Sequence, residues 1–265
     1  MDSRIQTKKS LGQHWLQDEA VLAEIADLAN LDRNDTALEI GPGLGTLTRQ
    51  IAKRAGKVVA IEFDQDLARE LQKNPELSNV KIINQDFLKF NLGEMPEGYK
   101  ILGNIPYYIT GKIVQKIVSA ENKPSVAVLL VQKEVAERLA ANAGQMSVLA
   151  VAAQAFAEVE LGPIVPAEFF TPPPKVDSQV VVLKMRSTPV FSGIDERVFF
   201  RVVKAGFSNR RKKLRSSLAG GLAISQAEAE SLLLDSKINP NKRAQELNLL
   251  DWVNLAKEYI TNGDL

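Results

Sequence analysis

The chain holds 265 residues, 45% of them hydrophobic, with 33 Lys and Arg against 32 Asp and Glu, enough for one large domain and a smaller one, each with its own core. The absence of cysteine excludes disulfides, thiolate catalysis and Cys-ligated zinc. A single histidine, His14, leaves a His-based metal site or a Ser-His triad without material, so no metal is expected. No apolar run approaches the roughly 20 residues of a membrane span, and Met1-Asp2-Ser3-Arg4 carries no apolar secretory stretch, which sets the expectation of a cytoplasmic protein that contacts no membrane.

Residues 4–19 read as a basic, irregular arm carrying Arg4, Lys8 and Lys9 and then Gly12-Gln13-His14-Trp15-Leu16. Such an arm can cover a site. Trp15 and Leu16 are expected in the core, with Gln13 and His14 left for polar contacts, before an amphipathic helix near residues 18–30. From Thr36 the pattern becomes strand (37–40), glycine turn (Gly41-Pro42-Gly43-Leu44-Gly45) and helix (46–54), the arrangement of a nucleotide-binding turn. The third glycine follows the second by two residues, and Glu39 precedes the turn, so the spacing tilts away from a dinucleotide site.

A second strand (57–61) ends on Glu62, which places a carboxylate within reach of ribose hydroxyls. After a helix (65–73) a third strand (80–84) is followed by Asp86, an acceptor suited to an adenine amino group. Any one of these acids fits a solvated loop; Glu39, Glu62 and Asp86 at three successive strand ends imply a shared ligand crevice. A fourth strand (100–103) delivers Asn104-Ile105-Pro106-Tyr107 to the same edge. The Asn104 amide oxygen and the Ile105 carbonyl can accept from an exocyclic NH2, Pro106 fixes the turn and Tyr107 offers a stacking face. Taken alone, the tetrapeptide equally fits a plain strand-to-turn connection.

A helix (109–120), a continuous apolar strand (126–131) suited to a sheet centre and a helix (133–141) follow, and then a segment (146–156) whose Ala and Val positions fit either strand or helix and which reads as a helix. Glu168 to Lys175 contains Pro172-Pro173-Pro174, a stiff loop able to hold Phe170 against the open face of a base stacked on Tyr107. A β-rich run (176–185) and a linker (186–194) precede four helices near 195–207, 212–218, 225–234 and 250–260. The net charge of +1 conceals Arg201, Lys204, Arg210, Arg211, Lys212, Lys213 and Arg215, a cluster uninterrupted by acid and fit for phosphate contact.

These residues resemble a known family. Leu11-Gly12-Gln13-His14, Glu39 to Gly45, Glu62, Asp86, Asn104 to Tyr107, Phe170-Thr171-Pro172-Pro173-Pro174-Lys175-Val176-Asp177-Ser178 and Phe207-Ser208-Asn209-Arg210-Arg211-Lys212 are similar, in order and spacing, to the small-subunit ribosomal RNA adenine dimethyltransferases. These belong to the class I S-adenosylmethionine-dependent methyltransferases. The resemblance implies an α/β, Rossmann-like, mostly parallel sheet with helices on both faces in a catalytic domain (1–187), and a small all-α RNA-binding domain (188–265). It implies S-adenosylmethionine as methyl donor, contacted by Gln13, His14, Leu16, Gly41, Gly43, Glu62, Asp86 and Asn104. Asn104, Ile105, Pro106, Tyr107 and Phe170 would hold the target base, and Arg210, Arg211, Lys212, Lys213 and Arg215 the RNA backbone.

The expected partner is small-subunit rRNA in an immature 30S subunit, bound by a monomer that dimethylates two adjacent adenosines in a hairpin loop. Trp15 stands where the family usually has Phe, and Tyr108 where it often has Asn. The alternatives are a large-subunit RNA methyltransferase of the antibiotic-resistance type and a non-catalytic assembly factor. Asn239-Pro240 and Arg243-Ala244-Gln245-Glu246 favour the small-subunit enzyme, and the intact Gly41, Gly43, Gly45, Glu62, Asp86 and Asn104 set favours turnover.

Overall fold

In the computed structural model, which describes residues 13–262, the apolar runs of the first part of the chain form one seven-stranded sheet. The basic arm residues Arg4, Lys8 and Lys9, together with Leu11 and Gly12, lie outside the described residues. Chain order begins with β1 (Trp15–Leu16) and α1 (Glu19–Asp27), whose first turn is capped by the Asp18 carboxylate accepting from the Val21 N–H at 3.0 Å. It continues through β2 (Thr36–Ile40), α2 (Thr46–Arg54), β3 (Lys57–Glu62), α3 (Gln65–Gln72) and β4 (Val80–Asn84). The chain then crosses back to β5 (Lys100–Asn104), α4 (Thr110–Val118), β6 (Val126–Gln132) and α5 (Lys133–Leu139).

Strands β2 to β6 are mutually parallel, and with β7 (Ala157–Val165) and β9 (Ser178–Met185) the sheet runs β4-β3-β2-β5-β6-β9-β7, β9 lying antiparallel to β6. Succession therefore runs outward from β2 to β4 and restarts on the other side at β5. That reversal opens a crevice at the carboxyl ends of β2 and β5. Ala127 to Val131 are each at most 1% exposed, so β6 is covered on both faces, as its continuous apolar run requires. On one face Ile25 and Ala26 of α1 and Ile51 of α2 join Ala37, Val58, Leu102 and Val128 in a single core.

The expected elements from β2 to β6 are present, and the ambiguous segment after Gly144 is a helix, α6 (Val148–Phe156). A strand that the sequence reading left out is β7 (Ala157–Val165). It carries Gly162-Pro163 in its second half and the exposed acids Glu158 and Glu160, a composition that suits the sheet edge it occupies. The arm residues Trp15 and Leu16 are likewise in a strand, since β1 pairs antiparallel with β8 (Phe170–Thr171), Leu16 opposite Phe170.

The chain divides into two compact units, one reaching Glu137 and resuming over Glu158–Met185, the other comprising Arg138–Ala157 and the chain from Arg186 onward. This differs from a single cut at 187. Helix α6 groups with the C-terminal helices because Phe156 meets Phe191 edge-on at 5.4 Å and Phe200 at 6.1 Å. Those helices are α7 (Glu196–Gly206), α8 (Leu214–Leu222), α9 (Gln226–Asp235) and α10 (Leu249–Asn262). Asp195 caps α7 by accepting from the Arg197 and Val198 N–H groups, and Ser225 with Glu228 forms a capping box on α9. Among the described residues no helix is long and apolar enough to cross a membrane.

Candidate active site

The glycine turn after β2 forms the floor of a cavity of about 250 Å³ at the carboxyl edge of the sheet. Gly41, Gly43 and Gly45 have φ of 66°, 58° and 75°, a left-handed backbone that L side chains rarely adopt. Gly41 lines the cavity, and a β-carbon there would project into open space, where a ligand can approach the backbone. Gly45 serves packing instead: its β-carbon would stand 2.6 Å from Leu71 Cδ2, so the residue lets α2 start close against α3.

Glu62, at the end of β3, is 6% exposed and lines the cavity. Its Oε2 accepts from the Gly43 N–H at 3.0 Å and its Oε1 from the Asp64 N–H at 2.7 Å. Burial pushes its pKa up, and those two backbone donors oppose the shift by favouring the anion. Asp86 follows β4 and also lines the cavity; its Oδ1 accepts from the Leu88 N–H at 2.9 Å, which fixes the carboxylate at the start of a 3-10 turn. Glu39 departs from the expectation of three acids around one crevice. It is 1% exposed and absent from the cavity wall, because its position in β2 sends the side chain under α2 beside the buried Thr48.

Asn104, the last residue of β5, joins the glycine floor from the other side of the reversal. Its Nδ2 donates to the His14 carbonyl oxygen at 3.0 Å. The amide is thereby oriented with Oδ1 as its acceptor for a ligand. The His14 ring stacks on Tyr107 with centroids 5.8 Å apart and planes 19° from parallel, and its Nδ1–H donates to the Pro172 carbonyl at 2.7 Å. The Tyr107 hydroxyl meets Ser178 Oγ at 3.0 Å, and Ser178 is fully buried. Burial raises the Tyr107 pKa, the Ser178 hydrogen bond opposes this and the Asp177 charge adds to it. Three stretches distant in sequence, around 14, 104–107 and 170–178, are thus tied together by side-chain hydrogen bonds.

Of the expected site residues, Gln13, His14, Gly41, Gly43, Glu62, Asp86, Asn104, Ile105, Pro106 and Tyr107 all line this one cavity. Leu16 and Phe170 do not. Each is 2% exposed in the hydrophobic core, where the β1 to β8 pairing sets them opposite one another. Phe170 is therefore no open stacking face, and the Leu16 side chain lies in the core while its carbonyl accepts from Thr46 Oγ1 at 2.9 Å; the ring found against Tyr107 is that of His14. Trp15, which the sequence assigned to the core, lines the cavity and lies 3.5 Å from where a Gly43 β-carbon would stand. Phe63 and Tyr108 also stand on the rim and were not anticipated there; their signal is an aromatic directly after a site residue.

In the helical unit Arg210, Arg211, Lys212 and Lys213 are exposed. Lys213 Nζ donates to Asn241 Oδ1 at 2.7 Å, and Arg215 is paired with Glu230 at 2.7 Å, which removes part of its charge from the patch. The Leu214 N–H donates to the Lys242 carbonyl at 2.7 Å, so the loop carrying Lys242 and the exposed Arg243 adjoins the cluster. Sequence distance concealed that extension.

A sheet with this order, whose reversal opens onto a glycine floor and a buried acid at the neighbouring strand end, defines the class I methyltransferases, and S-adenosylmethionine is their methyl donor. The residues present fit it: Glu62 offers carboxylate oxygens to a diol, Asp86 an acceptor to an amino group, and Gly41 and Gly43 leave the backbone approachable. The family model of ribosomal RNA adenine dimethylase matches residues 4–261, and the chain belongs to that family. It is 39% identical over 262 residues to the ribosomal RNA small subunit methyltransferase A of Dehalococcoides mccartyi, covering 97% of this chain and 90% of the relative. It is 40% identical over 261 residues to the protein of that name from Shouchella clausii, covering 94% and 88%. A dimethyladenosine transferase from Plasmodium falciparum superposes with a TM-score of 0.81 at 26% identity, covering 94% of this chain and 98% of that one. The 23S rRNA methyltransferase ErmE does so with 0.75 at 29%, covering 92% and 98%.

Proposed function

We propose that this protein transfers methyl groups from S-adenosylmethionine to N6 of two adjacent adenosines in the 3′-terminal hairpin loop of small-subunit rRNA. It does so in the cytoplasm, as a monomer acting on an immature 30S subunit. The names carried by the relatives at 39% and 40% identity support the small-subunit substrate over the large-subunit alternative. The observation that carries the chemistry is the Asn104 amide, whose Nδ2 is spent on the His14 carbonyl, leaving Oδ1 as acceptor inside the cavity.

The bound cofactor supplies a methyl group already activated on a sulfonium, so what the protein must add is chiefly alignment. Adenine N6 is a poor nucleophile because its lone pair is delocalised into the ring. Hydrogen bonds from its NH2 to Asn104 Oδ1 and the Ile105 carbonyl favour a pyramidal nitrogen and direct the lone pair toward the methyl. The N6 proton leaves after attack, which makes a strong general base unnecessary in a chain whose one histidine has Nδ1 committed to a carbonyl. A base stacked in a helix cannot reach this cavity, so the adenosine enters flipped or single-stranded, against Tyr107. Arg210, Arg211, Lys212 and Lys213, extended by Lys242 and Arg243, hold RNA phosphates, with Arg215 contributing less because Glu230 partly neutralises it.

The test is Asn104→Ala under single turnover with immature small subunits. Methyl transfer should fall on the order of 100-fold or more, as when a preorganised hydrogen-bonding group is removed from a reacting centre. Cofactor binding, measured by calorimetry, should survive in weakened form. Transfer at the wild-type rate would refute the proposed role of Asn104.

A further inference from the structure

Among the described residues, the exposed large apolar side chains include two aromatics, Phe63 at 63% and Tyr108 at 64%, and both stand on the rim of the same cavity. Phe63 follows Glu62 at the end of β3 and so belongs to the cofactor's side. Tyr108 follows Tyr107 and belongs to the side where the target base enters. Its backbone is firmly held: the Ile109 N–H donates to the Pro106 carbonyl at 3.2 Å, and the buried Thr110 hydroxyl bonds the Pro106 and Tyr107 carbonyls at 3.3 Å each. The neighbouring Tyr107 ring is tied by its hydroxyl to Ser178. A large aromatic held outward on a fixed turn leaves its face to solvent and adds little to the core.

We propose that Tyr108 is a second base platform, stacking on the nucleobase that flanks the target adenine while that adenine occupies the cavity. This rests on the reading of the cavity as an rRNA adenine site. Flipping one base strips its neighbour of a stacking partner on one side, and an aromatic face restores that contact. Tyr108, one residue beyond Tyr107, is the exposed ring nearest in sequence to the turn that holds the target. The first turn of α4, which follows immediately, contains no acid, and Lys112 within it is exposed, so a polyanionic strand crosses this element without repulsion.

The experiment measures methyl transfer to immature small subunits by wild type, Tyr108→Ala, Tyr108→Leu and Tyr108→Phe, with cofactor affinity measured separately for each. Tyr108→Ala and Tyr108→Leu should raise KM for the subunit on the order of 5-fold to 100-fold, the equivalent of one base–aromatic stack. Tyr108→Phe should retain the wild-type KM because the ring face is kept, and cofactor affinity should be the same in all four proteins. Rescue by Leu as complete as by Phe would assign Tyr108 a merely apolar packing role and overturn the proposal. So would an unchanged KM in Tyr108→Ala, or a loss confined to cofactor affinity. Wild-type protein that transfers nothing to small subunits would instead remove the reading of the cavity itself.

Discussion

Glu39 stands just before the glycine turn, yet its carboxyl group is buried, with Oε2 lacking any hydrogen-bond partner. An unpaired carboxylate in such a place is costly, and the neutral acid is favoured. Burial raises its pKa to about 8, opposed by the Thr48 hydroxyl and reinforced by the charge of Glu62. The folded state thus holds a proton that the unfolded chain releases near 4.5. The stabilising contribution is complete below that value and is lost as pH rises toward 8, at up to ~1.4 kcal/mol per pH unit. Glu39→Gln, which is neutral throughout, should therefore gain stability relative to wild type between pH 6 and pH 9, measured by denaturant unfolding at each pH. Parallel pH profiles for the two proteins would show that Glu39 is ionised in the fold. The sequence placed Glu39 among the cavity acids because it shares a motif with Gly41. It did not reveal that strand alternation turns this side chain toward α2, or that pairing with β1 sinks Phe170 into the core. Glu62, Asp86 and Asn104 were legible because each lies at or just beyond a strand end, where direction matters less than position.

At the scale of elements, parallel strands and their helices were readable from apolar runs punctuated by glycine turns and caps. The peripheral strands β7 and β1 were not, although the opposite edge strand β4 was. β7 carries Gly162 and Pro163, and the two-residue β1 depends on a partner, β8, that lies far along the chain. Helix α6 was readable as a helix, but its allegiance was not, since it is set by the contacts of Phe156 with Phe191 and Phe200. The helical unit also depends on close approaches that a propensity scale would misjudge. Gly206 ends α7, and a β-carbon there would lie 2.4 Å from Trp252 Cη2, whereas Gly220 in α8 has nothing within 4 Å. Alanine normally stabilises a helix by ~1 kcal/mol over glycine. At Gly206 the clash with a buried indole outweighs that gain, and Gly206→Ala should destabilise by ~1–3 kcal/mol. Gly220→Ala should be neutral or stabilising by up to ~1 kcal/mol. Thermal unfolding of the two variants checks the contrast, and equal shifts would show that α7 and α10 have room to separate.

Across the whole molecule, one unit supplies the cavity at the carboxyl edge of the sheet and the other a basic surface of Arg210, Arg211, Lys212 and Lys213 joined by the loop at Lys242 and Arg243. Near-zero net charge concealed the cluster from Arg210 to Lys213 in the composition, a run of bases uninterrupted by acid revealed it, and sequence distance hid its extension to Lys242 and Arg243. The chain belongs to the ribosomal RNA adenine dimethylase family, and the remaining proposals depend on the identity of the RNA. The most direct measurement incubates the protein and labelled S-adenosylmethionine with immature small subunits, mature large subunits and free rRNA in parallel, then maps the modified nucleosides. The small-subunit assignment predicts N6,N6-dimethyladenosine at two adjacent positions in the 3′-terminal hairpin of the small-subunit rRNA and none in the large subunit. Label confined to the large subunit would contradict it.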